Sequence, residues 1–262
     1  MFQFKPHSEY PQYYKECELT GILYYLPSKK RNYTGSYFME EYKNQYNKTY
    51  YEDEPNLRNL AKDRLKQLSI YNLNRTGNLL EIGCAAGFFL DEASKLGYTT
   101  KGIDISEKEV EFARSILKLD VEHISFLEFT TEKKFDVVCA FFVIEHFKDQ
   151  EEFFKKILSL ITEDGFLFLA IPSIHGPTYR TNPTEWFKTH PEDHFVDYSP
   201  SSIRNVLKYF NMEVVWNKPM SYHPVRDLGW RNKFPFSAFY KQLANLTSYG
   251  DTLQIIAKRI KK

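Results

Sequence analysis

The chain has 262 residues, enough for one α/β domain with additions, and at 42% hydrophobic it can bury a full core without disulfides. Lys and Arg number 35 against 34 Asp and Glu; a net charge of +1 gives no electrostatic ground for expecting nucleic acid as a partner. The cysteines, Cys17, Cys84 and Cys139, are odd in number and far apart, which excludes a disulfide framework and fits a reducing compartment.

Eleven of the 19 tyrosines lie between Tyr10 and Tyr51, in a stretch with no clear helical or strand period. Composition shifts near Pro55, so residues 1–55 read as an appendage on a domain spanning 56–262. Its rings suit an acceptor pocket or simple packing, and packing is favoured for most of them. Leu57, Leu60, Ala61, Leu65 and Leu68 have helical spacing within Asn56–Ile70. Beyond Gly77, strand-like runs at Leu79–Ile82, Thr99–Ile103, Val121–Ile124, Phe135–Ala140 and Phe166–Ile171 alternate with helical patterns at Phe88–Leu96, Glu107–Leu117 and Glu151–Ile161. Ser106 with Glu109, and Asp149 with Glu152, have capping-box spacing. Ser199-Pro200 opens another helix through Ile203, Val206 and Leu207, and strands follow at Glu213–Trp216 and Thr252–Ile260. Apolar strands alternating with helices predict a doubly wound, mostly parallel α/β sheet covered on both faces. With no basic-then-apolar leader and no run of bilayer length, a cytoplasmic location is expected.

The first strand turns into its helix through Glu81-Ile82-Gly83-Cys84-Ala85-Ala86-Gly87, where open α/β sheets bind ligands. Asp104 ends the next strand, where a carboxylate can accept from both hydroxyls of a ribose. A dinucleotide site wants G-x-G-x-x-G, and Phe88 stands at its last glycine, which disfavours a dinucleotide-dependent oxidoreductase.

The acidic residue two before Gly83, with Gly87 closing the loop, resembles motif I of the class I S-adenosylmethionine-dependent methyltransferases. Gly102-Ile103-Asp104-Ile105-Ser106 is similar to the second motif of that family. Phe135-Asp136-Val137-Val138 followed by Val143-Ile144-Glu145-His146 is similar to its fourth-strand motif, and Leu160–Leu167 to its turn into the fifth strand. His194-Phe195-Val196-Asp197-Tyr198-Ser199-Pro200 resembles the HxxxFSP element of the broad group that contains the ubiquinone-pathway O-methyltransferases.

The resemblance implies a Rossmann-like seven-stranded sheet with an antiparallel last strand and S-adenosylmethionine as methyl donor. It places Glu81 near the methionine amino end and the backbone of Gly83, Cys84, Ala85 and Gly87, with Phe88, under the cofactor. Asp104 is expected on the ribose, Ile105 against adenine, and Ser125 and Phe126 where the family usually has an adenine-binding Asp. Phe141 is expected to line the pocket. Ala85 replaces a middle glycine, which is tolerable if its φ is not positive. His146 is the leading general base and His194 the second candidate. In the ubiquinone-pathway enzymes an added acid before the Glu-His pair helps bind a metal; Phe142 stands there, so no metal is expected.

Cys17-Glu18-Leu19-Thr20-Gly21-Ile22-Leu23-Tyr24-Tyr25-Leu26-Pro27 resembles half of a zinc knuckle preceding some surface-glycan-locus methyltransferases, with Thr20 in place of the second cysteine. The sequence lacks the Asn/Asp-Pro-Pro-Tyr/Phe element of base N-methylation, so a hydroxyl of a small molecule or glycan leads as acceptor. Acceptor-side insertions are expected at 172–198, with Tyr179, Arg180, Trp186 and His190, and at 217–251, with Trp230, Phe234, Phe236, Phe239 and Tyr240. The latter suits a pocket cover or a homodimer contact. A relative that binds the cofactor without transferring methyl is the remaining alternative.

Overall fold

The computed structural model describes residues 2–30, 42–43, 47–72, 76–220 and 233–260. Three short strands open the chain: β1 (Phe4–Pro6), β2 (Tyr14–Cys17) and β3 (Leu23–Tyr25). Helix α1 (Glu54–Leu68) starts on Pro55, whose fixed φ suits a first turn. There follow β4 (Gly77–Ile82), α2 (Phe88–Lys95), β5 (Tyr98–Asp104), α3 (Glu107–Ser115), β6 (Val121–His123) and β7 (Phe135–Phe141). A 3-10 turn, Ile144–His146, leads to α4 (Gln150–Leu160), β8 (Ile161–Pro172), α5 (Pro177–Thr181), α6 (Pro183–Thr189) and β9 (Val196–Asp197). The chain continues through α7 (Pro200–Tyr209), β10 (Met212–Met220), α8 (Phe236–Thr247) and β11 (Thr252–Arg259).

Seven strands form one sheet in the order β10-β11-β8-β7-β4-β5-β6. β4 runs parallel to β5 and β7, and β5 parallel to β6, while β10 and β11 pair antiparallel at the edge. This is the Rossmann-like, doubly wound arrangement that the alternating pattern predicts. The chain divides into two compact units, one of Asn32–Ala140 with Lys156–Phe168, the other of Met1–Arg31, Phe141–Lys155 and Leu169–Lys262.

In the first of these units, Leu79, Leu80, Val137 and Val138 are wholly buried, as parallel strands covered on both faces require. A Cβ on Gly102 of β5 would lie 2.5 Å from Leu90 Cδ1 of α2, so the residue lets helix and strand approach closely. Ser106 sits at the N-cap of α3 but its hydroxyl makes no cap, and Glu109 instead accepts from the Tyr51 hydroxyl at 2.7 Å. The predicted capping box is therefore absent here, because Asp104 takes the Ser106 N–H first, at 2.8 Å. The second predicted cap is present: Asp149 accepts from the Glu152 N–H at 2.9 Å.

In the other unit, β1, β2, β3 and β9 form a four-stranded antiparallel sheet, with Tyr14 opposite Tyr25 and Leu23 opposite Asp197. The tyrosine-rich start is thus partly strand, which three- and four-residue elements are too short to announce by period. Tyr14, Leu23, Tyr25 and Tyr179 form a buried cluster against which Tyr10, Tyr13, Trp186 and Phe187 pack. The knuckle-like segment is a hairpin: Cys17 is buried, its N–H donates to Ile22 O, and Thr20 Oγ1 accepts from the Ile22 N–H. β10 and β8 run longer than predicted, so Asn217–Met220 belongs to the sheet and β8 begins at Ile161. Tyr33, Tyr37, Tyr46 and Trp230 lie outside the described residues. Among the described residues no helix is long and apolar enough to cross a membrane.

One polar network threads the ring cluster. The Tyr14 hydroxyl donates to Asp197 Oδ2 at 2.8 Å and accepts from Trp186 Nε1 at 2.9 Å. Replacing Tyr14 by Phe leaves a buried carboxylate and an indole N–H each short of a partner. Tyr14→Phe is expected to lower the unfolding free energy by about 1–3 kcal/mol, read from the midpoint of a urea titration.

Candidate active site

The loop after β4 has a buried carboxylate, Glu81, at its start and is tied by a second, Asp104. Gly83 and Gly87 have φ of 69° and 80°, and a Cβ on Gly87 would meet Leu119 Cδ1 at 2.7 Å. Ala85 also has a positive φ, 45°. The condition under which alanine would be harmless is not met, and the loop carries strain at this position. Asp104 closes it: Oδ2 accepts from the Ala85 N–H and Oδ1 from the Ser106 N–H, each at 2.8 Å. Burial raises the Asp104 carboxyl above its usual range while the N–H donors of Ser106, Ala85 and Ile105 oppose the shift.

Glu81 is 4% exposed, and its Oε2 has no hydrogen-bond partner among the described residues. Burial pushes its carboxyl well above the ordinary range, opposed by the charge of Arg64. Arg64, on α1, is itself buried and lowered to about 10 by that burial. Tyr50 stacks on Phe88 with ring centroids 5.5 Å apart, and burial, then the charges of Glu81, Asp104 and Glu109, raises its hydroxyl well above the usual value. Neither Arg64 nor Tyr50 was selected by motif. Arg64 shares the helical stripe of Ala61, Leu65 and Leu68, a charge on an apolar face that the sequence displays openly. Tyr50 is hidden among many tyrosines.

The other predicted cofactor residues divide. Ile105 is 43% exposed, an apolar side chain beside Asp104 with open surface to cover. Phe88 and Phe126 are core residues, Phe88 carrying the Arg58 guanidinium 5.0 Å from its ring. Ser125 donates to Glu128 Oε2 at 2.8 Å and starts a turn. Cys84 is buried, and burial pushes its thiol up, away from any nucleophilic role. An orphaned buried carboxylate, a glycine cradle and an exposed apolar residue fit the ammonium, the backbone-contacting body and the adenine of S-adenosylmethionine.

Past β7 the second cluster assembles from the 3-10 turn and the loop before β9. Phe141 is partly buried at the strand end, and Phe142 takes a φ of 58° with its ring 45% exposed. His146 Nδ1 lies 3.2 Å from Asp193 O and 3.3 Å from Asp193 Oδ2. The His194 ring meets His146 edge-on at 4.7 Å, so the two predicted bases are neighbours. His190 Nε2 is 2.9 Å from Asp197 Oδ2, and the Tyr25 ring covers His190 at 3.8 Å.

Burial alone would lower His146, but its hydrogen bond to Asp193 and the charges of Glu145 and Asp193 carry it above the ordinary value. Burial, with the neighbouring His146, lowers His194 to about 3, so this ring stays neutral. Glu145 is 1% exposed, both its oxygens lack partners among the described residues, and burial raises it to about 7. Glu145, His146 and His194 bring potential ligand atoms within 4.8 Å of one another. At the position of the added acid in the ubiquinone-pathway pattern stands Phe142, which has no ligand atom, so that donor set is incomplete here.

Residues 54–216 match the methyltransferase-domain family. The chain belongs to that family. It is an S-adenosylmethionine-dependent methyltransferase of class I. The ubiquinone biosynthesis O-methyltransferase of Pelagibacter ubique is 28% identical over 169 residues, covering 58% of this chain and 68% of that one. The Bartonella bacilliformis enzyme of the same name is 23% identical over 170 residues, 59% and 67% of the respective chains. Among solved structures, a methyltransferase from Thermotoga maritima superposes with a TM-score of 0.59 at 16% identity, covering 86% of this chain and 99% of that one. The plantazolicin methyltransferase in complex with S-adenosylhomocysteine does so at 0.55 and 16% identity, covering 85% and 88%.

Two predictions follow from the strained loop and the buried acid. Ala85→Gly relieves the positive φ and is expected to stabilise the protein by up to about 1 kcal/mol in denaturant unfolding, where the same change in a helix would destabilise. Glu145 has a folded pKa of about 7 against an ordinary 4.5, so its neutral form is favoured in the fold. The stability it contributes is fully present below pH ~4.5 and is lost as pH rises through ~7. Glu145→Gln, which cannot ionise, should be about 2–3 kcal/mol more stable than the parent at pH 8 and nearly equal to it at pH 4.5. Unfolding titrations at the two pH values measure the difference.

Proposed function

We propose that this methyltransferase methylates a hydroxyl oxygen of a small molecule or glycan, with His146 as general base. The observation that carries this reading is the partly exposed His146, its Nδ1 tied to an acid, in the turn that follows the fourth strand of the parallel core. When bound, S-adenosylmethionine supplies an electrophilic methyl group on a sulfonium sulfur. Asp104 would hold the ribose: its carboxylate accepts the N–H groups of Ala85 on Oδ2 and Ser106 on Oδ1 and keeps lone-pair capacity for a hydroxyl. Glu81 accepts from the methionine ammonium, and Ile105 packs on adenine.

With the methyl donor bound, His146 would accept on Nε2 the proton that the acceptor hydroxyl releases as it takes up the methyl group, the sulfur keeping the electron pair of the broken carbon–sulfur bond. A sulfonium is a good leaving group, so alignment and desolvation supply most of the remaining acceleration. The names of the Pelagibacter and Bartonella relatives support oxygen as the acceptor atom. The lack of charge excess supports a non-nucleic-acid substrate, and free cysteines support a cytoplasmic setting. Exposed Phe236, Phe239 and Leu243 on α8 suit a homodimer contact in the second insertion.

Asp104→Ala removes two hydrogen bonds to a charged acceptor at roughly 1.5 kcal/mol each and should weaken S-adenosylhomocysteine binding about a hundredfold. Calorimetry giving an unchanged dissociation constant would withdraw Asp104 from the ribose. Labelled-methyl transfer screened over hydroxylated sugars and phenols tests the acceptor class; transfer to amines alone would overturn it.

A further inference from the structure

We infer that Asp193 is the positioning residue of the reaction, fixing His146 in the tautomer that presents Nε2 as the base; this rests on His146 being the base proposed above. Both atoms within reach of His146 Nδ1, the Asp193 carbonyl oxygen at 3.2 Å and Oδ2 at 3.3 Å, are acceptors. A carbonyl cannot donate, so Nδ1 carries the hydrogen and the lone pair of the neutral ring lies on Nε2. As His146 takes a proton, the Asp193 carboxylate stabilises the imidazolium without itself being protonated.

Asp193 is 2% exposed, and its loop is anchored independently of His146. The Phe195 N–H donates to Glu145 O at 2.8 Å, the Tyr25 N–H to Phe195 O at 2.9 Å, and the Lys29 N–H to Glu192 O at 2.7 Å. On the near side, His190 is locked on Asp197. The acid is therefore preorganised by the four-stranded sheet. His194, the other candidate, has no carboxylate on either ring nitrogen among the described residues; its ring packs edge-on against those of His146 and His190. The same geometry separates the two histidines: His146 is oriented and His194 is a neutral wall beside it. The titratable groups that bear on His146 are Glu145, Asp193 and His194, and His190 and Asp197 bear in turn on His194.

Nitrogen-15 spectra of the labelled imidazoles in the full chain, after dialysis against a chelator, test the assignment. The parent should show His146 as the Nδ1–H tautomer when neutral. Asp193→Asn should lower the His146 titration midpoint by about one unit or more, Asp193→Glu should restore part of it, and S-adenosylhomocysteine binding should stay within about twofold in both. An Nε2–H tautomer in the parent, an unmoved midpoint in Asp193→Asn, or an Nδ1–H signature that arises only when magnesium or zinc is added would each overturn it. The base reading fails separately: a His146→Gln chain that transfers labelled methyl at the parent rate removes His146 from catalysis whatever the spectrum of the pair.

Discussion

Asp197 is a carboxylate 2% exposed among aromatic rings, and satisfying it dictates much of what surrounds it. An unpaired charge at such a depth costs several kcal/mol, so donors must converge. Tyr14 comes from β2 and His190 from the loop after α6, while Trp186 holds Tyr14 in place. Because Asp197 also lies opposite Leu23 in the sheet, the N-terminal strands and the loop from His190 to Phe195 are fixed to one point. That loop then delivers Asp193 to His146. The packing of the tyrosine-rich start and the orientation of the proposed base are thus consequences of one buried acid.

A different economy governs the loop after β4. There the contacts available to a ligand are chiefly backbone and carboxylate, and Asp104 spends Oδ2 on the loop itself and Oδ1 on the Ser106 N–H of its own turn. The reading of Asp104 as a turn former and its reading as a ribose acceptor are therefore compatible, since the first role aims the second. The strain at Ala85 belongs to the same design: the path that brings its N–H to Asp104 requires a positive φ, whichever residue occupies it.

The glycine loop, the alternation of strands with helices and the helix starts at Asp149 and Ser199 were legible because they are encoded locally, in spacings of a few residues along one strand–turn–helix unit. The three N-terminal strands were not, because they are too short for alternation to register and their pairing with β9 joins residues about 170 apart in sequence. The Ser106–Glu109 box has the right spacing yet fails, since Asp104 competes for the same N–H and Tyr51 for the same carboxylate. His146 and His194 could be named from motifs, but their adjacency, and the acid behind one of them, depend on a loop fixed by long-range contacts. Asp193 stands immediately before His194 in sequence and serves the other histidine.

Among its described residues the unit holds two histidine–aspartate pairs, and burial separates their roles. His190 and Asp197 have side chains 0% and 1% exposed, with Tyr14 and Pro191 O taking further bonds, so this pair is a structural joint with no access for a substrate. In the other pair Asp193 is equally buried, at 3%, while His146 is 26% exposed. A base must exchange its proton with something outside the fold, and its partner acid must not. The asymmetry of the His146–Asp193 pair meets both demands, whereas the symmetric burial of His190–Asp197 meets only the second. Glu145 and Asp193 both raise the basicity of His146, and of the two carboxylates only Asp193 lies within hydrogen-bond reach of its ring.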